Sequence, residues 1–99
     1  MWKMILMTAV FALLLSGWAQ AAQPIRILYV TKSAGFEHSV VKREGDAPAY
    51  SERILSDIAK KAGWTILCTK DASLVNAENL KNYDVVVFYT TGDLTTPGT

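Results

Sequence analysis

The run DVVVFYTT over residues 84–91 constrains this chain more than any other stretch. After Asp84 it carries no charge, and valines and aromatics follow one another without the alternation of a half-wet strand. A strand with one face in water shows a period of two, whereas near-continuous apolar character points to burial on both faces. That is the pattern of a parallel sheet rather than a hairpin. The remaining chain must then supply neighbouring strands and the crossover segments that join them.

Two other segments read as strands. IRILYVT over residues 25–31 is β-branched and aromatic with one charge near its start, and TILCT over 65–69 is a second. Between them the spacing predicts a helix, with Asp46 as its cap, Pro48 in its first turn and Gly63 at its end. Ile54, Leu55, Ile58, Ala59 and Ala62 form its apolar stripe, and Arg53, Asp57, Lys60 and Lys61 fall largely on the other side. NAENLKNY over 76–83 is a short helical turn packed through Leu80, with Tyr83 beside it. The alternation predicts an α/β domain, a flavodoxin-like parallel sheet in strand order 2-1-3. Right-handed crossovers put the two connections on opposite faces, so the face served by the short 76–82 segment is expected to be thinly covered. Three strands are few for a doubly wound sheet, and TTPGT follows the third at once. The piece therefore reads as the N-terminal part of a larger domain, truncated after the third strand.

The start of the chain has a different character. MWKM carries Lys3, ILMTAVFALLLSGW over 5–18 is an apolar run, and AQA at 19–21 has small residues at the spacing of a cleavage site. This describes a secretory signal peptide, too short for a membrane span. The expected organisation is a signal peptide over 1–21, cleaved near Ala21, and a secreted or periplasmic mature chain over 22–99. Trp18 stands where a lipid-bearing cysteine would be, which argues against a lipid anchor. Of the ten basic side chains one is Lys3, so nine face the nine acidic ones in the mature chain. The balance gives no support to nucleic-acid or anionic-membrane binding. Cys68 is the only cysteine, so no intrachain disulfide forms and the fold relies on packing.

In an open α/β sheet, ligands bind beyond the carboxyl ends of the strands, where the strand order reverses. For order 2-1-3 two loops flank that crevice: KSAGFEHS after the first strand and TTGDLTT after the third. Gly35 permits a positive φ or a close backbone approach. Phe36 is either a plug over the sheet end or a stacking platform for a sugar ring. His38, the one histidine, is either an acid, base or metal ligand or a residue of an ordinary turn. Thr90 and Thr91 offer hydroxyls, Gly92 backbone access and Asp93 a carboxylate, which either orients His38 or closes an Asx-type turn. No cofactor is legible, because there is no GxGxxG and no Walker loop. One histidine and one cysteine on different elements do not make a zinc site. Cys68, inside a strand, reads as a small core residue rather than a nucleophile.

Taken together, ILYVTKSAGFEHSVV, LSDIAKKAGW, TKDASLV and NLKNYDVVVFYTTGDL resemble the opening of the ThuA-like (trehalose-utilisation) family, which shares the class I glutamine amidotransferase fold. The resemblance spans the mature chain from Arg26 to about Leu94, and the family domain is about two to three times longer. It implies a flavodoxin-like domain of carbohydrate metabolism, often exported and without the amidotransferase cysteine triad. The family's glycine-phenylalanine-histidine element falls on Gly35, Phe36 and His38, with the variable position at Glu37. Its threonine-glycine-aspartate turn falls on Thr91, Gly92 and Asp93. A further histidine-containing segment of the family lies beyond the matched region.

The resemblance and the loops together lead to the expectation of an exported protein acting on a small-molecule carbohydrate, as a hydrolase when full length. His38 would be catalytic, and Gly35, Phe36, Thr91, Gly92 and Asp93 would bind substrate. The alternatives are a carbohydrate-binding module without turnover and an inactive fragment that self-associates through its exposed sheet edge.

Overall fold

The computed structural model describes residues 23–99, so the expected signal peptide and its cleavage site lie outside the described residues. Three strands, β1 (Arg26–Val30), β2 (Thr65–Thr69) and β3 (Val85–Phe88), form one sheet in the order β2-β1-β3. Both pairings are parallel and place Tyr29 between Cys68 and Val87. The chain is thus α/β, with the flavodoxin-like strand order expected. β3 is shorter than the run that announced it. Asp84 lies before it and accepts from Arg26 instead, from the backbone N–H at 2.9 Å and from Nε and Nη2 at 3.2 Å each.

Helix α1 (Tyr50–Ala62) connects β1 to β2. It ends as expected at Gly63, whose φ of 75° is left-handed and whose N–H bonds back to the last turn. It begins later than expected. Asp46 sits in a tight turn in which Ala47 N–H donates to the Glu44 carbonyl at 3.0 Å. The helix is capped instead by Glu52, whose Oε1 accepts from Ala49 N–H at 2.8 Å. This is half of a capping box, because alanine offers no side-chain oxygen for the reciprocal bond. Pro48 holds the residue before it extended, so the helix starts only beyond it.

The helix stripe is split. Ala59 and Glu52 are buried against the sheet, while Ile54 and Ile58 remain 43% and 50% exposed. Tyr29 OH donates to Ser51 Oγ at 2.9 Å, which fixes the side of the sheet that α1 covers. Leu28 and Val30 alternate to the opposite side and are fully buried. The connection from β2 to β3 contains the short helix α2 (Ala77–Leu80). The register puts Leu67 and Phe88 on the same side as Leu28 and Val30, and they are 45% and 50% exposed, so the centre of that face is closed and its margins are thinly covered, as expected. The open surface lies at the edges, where Val85 and Phe88 of β3 are 43% and 50% exposed.

Candidate functional site

The two loops expected at the switch point do meet. Ser33 pairs with Thr91 as a parallel bridge, and Ala34 N–H donates to the Thr91 carbonyl at 2.8 Å. Thr91 Oγ1 donates to the Phe36 carbonyl at 2.6 Å. Gly92 makes this approach possible. Its φ is 72°, and a Cβ there would lie 1.9 Å from the Ala34 carbonyl oxygen. Gly35 also has a positive φ, of 127°, but faces open space. Its role is the sharp redirection of the chain before Phe36.

Phe36 is 71% exposed, so it does not plug the sheet end. Its ring stands edge-on to His38 with centroids 4.9 Å apart, and His38 stands edge-on to Tyr89 at 5.5 Å. Edge-to-face pairs at these separations hold rings in defined orientations. The imidazole is thus bracketed by one aromatic from its own loop and one from the end of β3. Tyr89 was not singled out from the sequence, although its place as the last aromatic of the 84–91 run puts it at the crevice.

Asp93 does not orient His38. Its Oδ1 accepts from Thr95 N–H at 2.9 Å and Thr95 Oγ1 at 2.7 Å, and these bonds hold the carboxyl below the usual aspartate range. Asp93 is therefore a turn residue here. Among the described residues the His38 ring makes no hydrogen bond, and no cluster of three or more His, Cys, Asp or Glu is placed to hold a metal. Lys32 and Glu37 are both engaged. Lys32 Nζ donates to the Leu94 carbonyl at 2.7 Å, and Glu37 Oε2 accepts from Lys70 Nζ at 3.2 Å and Thr99 Oγ1 at 2.9 Å. Beneath the loops, Thr31 Oγ1 and Ser33 Oγ are buried without a hydrogen-bond partner among the described residues.

No family model, curated protein or solved structure matches this chain. The functional reading therefore rests on the residues. Cys68 is half-buried in β2, and burial raises its thiol, so it is a packing residue rather than a nucleophile. No helix among the described residues is long and apolar enough to cross a membrane. What the loop pair offers is an exposed aromatic ring, an exposed imidazole that makes no hydrogen bond among the described residues, and a turn whose Thr91 hydroxyl is tied to the Phe36 carbonyl.

Proposed function

We propose that this chain is the opening part of an exported, ThuA-like protein that acts on a sugar or sugar derivative, as a hydrolase when full length. The observation that carries the reading is His38, bracketed by Phe36 and Tyr89 above the Thr91–Gly92 turn. A sugar ring has an apolar face that suits an exposed aromatic and hydroxyls that suit an imidazole and threonine. In turnover His38 moves the proton, Phe36 holds the ring face, and Gly35, Thr91, Gly92 and Asp93 shape the wall. Positioned acid–base groups contribute about 10²–10⁴-fold to rate.

The test is turnover of a panel of glycosides by the full-length exported protein, wild type against His38→Ala and Phe36→Ala. Loss of about 100-fold or more in kcat for His38→Ala, and a raised KM for Phe36→Ala, is the expected result. Unchanged turnover in a folded His38→Ala protein sinks the role of His38. A second reading, sugar binding without turnover, is favoured by the engagement of Asp93 with Thr95, which leaves His38 without an orienting carboxylate. Calorimetry separates the two. Binding that survives His38→Ala, with no product from the wild type, selects the module.

A further inference from the structure

In extended backbone, successive side chains point to opposite sides. His38 is extended, with φ −67° and ψ 143°. Phe36 and His38 share the outward face of their loop, and Glu37 between them turns inward, its side chain only 19% exposed. There it meets an anchor. Its Oε2 accepts from Lys70 Nζ at 3.2 Å and from Thr99 Oγ1 at 2.9 Å. Lys70 follows directly on β2, and its Nζ also donates to the Thr31 carbonyl at 3.3 Å. One ammonium thus ties the end of β2 to the exit of β1 and to the middle of the His38 loop. The Lys70 side chain is 18% exposed, so both partners lie mostly out of water, where salt screens an ion pair less than at the surface. The Thr99 hydroxyl, helped by Lys70 and outweighing burial, holds the Glu37 carboxyl below the ordinary glutamate range. Main-chain bonds fasten the segment on either side. Thr91 Oγ1 holds the Phe36 carbonyl, and Val41 N–H, on a fully buried residue, donates to the His38 carbonyl at 3.1 Å.

We propose that Lys70 is a positioning residue for His38: through Glu37 it turns the imidazole outward and holds it between Phe36 and Tyr89. This deepens the reading of His38 as the group that moves the proton, and it rests on that reading for its effect on turnover. Lys70 acts from the inner side of the loop, at a contact between described residues that needs no further chain to complete it. The Phe36 end keeps its own tie to Thr91, so turnover should suffer more than substrate binding when Lys70 is lost. A displacement of about 1 Å at a reacting group can cost about 10²-fold in rate.

The experiment compares wild type with Lys70→Met, Lys70→Arg and Lys81→Met in the full-length exported protein. Lys81 pairs with Glu78 ahead of β3, at the opposite end of that strand from Tyr89, and serves as the control. Proton NMR of the His38 ring reads its orientation through the ring-current shifts that Phe36 and Tyr89 impose. In Lys70→Met these shifts should collapse toward free-histidine values while the melting transition stays cooperative. Lys70→Arg, which keeps the charge and the reach, should restore them, and Lys81→Met should leave them at wild-type values. In turnover of the glycoside panel, Lys70→Met should lower kcat at least about tenfold with KM within about twofold, and Lys70→Arg should recover most of it. The two readings fail separately. A wild type without turnover, whose ring shifts are still lost in Lys70→Met, removes the hydrolase and supports the positioning of His38. Unchanged ring shifts in a folded Lys70→Met protein overturn the proposal, whatever the kinetics. If Lys70→Met does not fold, Glu37→Ala, which removes the carboxylate on the loop side, decides by the same shifts.

Discussion

Arg43 grips Glu52 in a two-pronged contact, Nε to Oε1 at 2.9 Å and Nη2 to Oε2 at 2.6 Å, although Glu52 is only 1% exposed. The carboxylate also caps α1 through Ala49 N–H, and Arg43 reaches on to the Cys68 carbonyl at 3.4 Å. One buried acid thus joins the segment before the helix, the helix start and the inner end of β2. Replacing it by glutamine keeps the shape but leaves the guanidinium without its counter-charge. Breaking a buried pair costs about 3–5 kcal/mol, less here because Arg43 is one-third in water. Glu52→Gln should lose about 2 kcal/mol in urea unfolding, and a double cycle with Arg43→Met should show strong coupling.

The same contact makes stability depend on acid. The Arg43 hydrogen bond, outweighing burial, holds the Glu52 carboxyl below the ordinary glutamate range. A depressed folded value means the unfolded chain binds the proton first as pH falls. The contribution is therefore complete above the unfolded glutamate value of about 4.3 and is lost as pH falls through the folded one. Other carboxylates, such as Asp84 beside Arg26, shift in the same direction. The decisive measurement is thus the difference in urea midpoint between wild type and Glu52→Gln. It should stay constant down to about pH 5 and then narrow as pH falls through the folded value, and a difference that stays constant into acid would exclude the linkage.

Gly92 and Gly35 should respond differently to alanine. Both hold a positive φ, Gly92 at 72° in the left-handed region and Gly35 at 127° beyond it, and such conformations cost a side chain about 1–3 kcal/mol. Only Gly92 also meets an immovable neighbour, the Ala34 carbonyl. Gly92→Ala should therefore cost more in thermal unfolding than Gly35→Ala, and it should also loosen the bond from Ala34 N–H to Thr91. Faster amide exchange at Ala34 in Gly92→Ala, and not in Gly35→Ala, is the expected signature.

Thr91→Val removes the hydroxyl that ties the third-strand loop to the Phe36 carbonyl. The bond is part of the surface, so its loss should cost only about 0.5–1 kcal/mol. Its effect on the site should be larger than its effect on the fold. The Phe36–His38 pair loses its anchor, so sugar affinity should fall several-fold while the melting temperature moves little. Equal affinity in Thr91→Val would mean that the loop junction does not shape the pocket.

Much of this architecture is legible in the sequence because it is written locally. The unalternated 84–91 run announces a strand of a parallel sheet, although β3 is an edge strand with no buried residue rather than one covered on both faces; TILCT marks β2 at its observed bounds, and Gly63 marks the helix end by the one conformation it adopts most easily. Strand, helix and strand in succession leave few right-handed topologies, and order 2-1-3 is one of them. The glycines of both loops were equally visible, since a positive φ is a property of the residue itself.

What the sequence could not settle depends on partners distant along the chain or in space. Asp46 is as good a local cap as any, but Glu52 wins because Arg43 is brought beside it and repays its burial. Ile54 and Ile58 fit a helical stripe, yet α1 sits over β1 and β2, so their side looks across β3 into an open groove. Asp93 could have faced His38, but the Thr95 hydroxyl two residues on reaches it first. Tyr89 becomes a wall of the site only because β3 ends beside β1, 51 positions after His38. Short-range patterns of polarity and backbone preference decide which elements form. Which side chains meet is decided when the sheet closes and each group takes the nearest partner that packing leaves it.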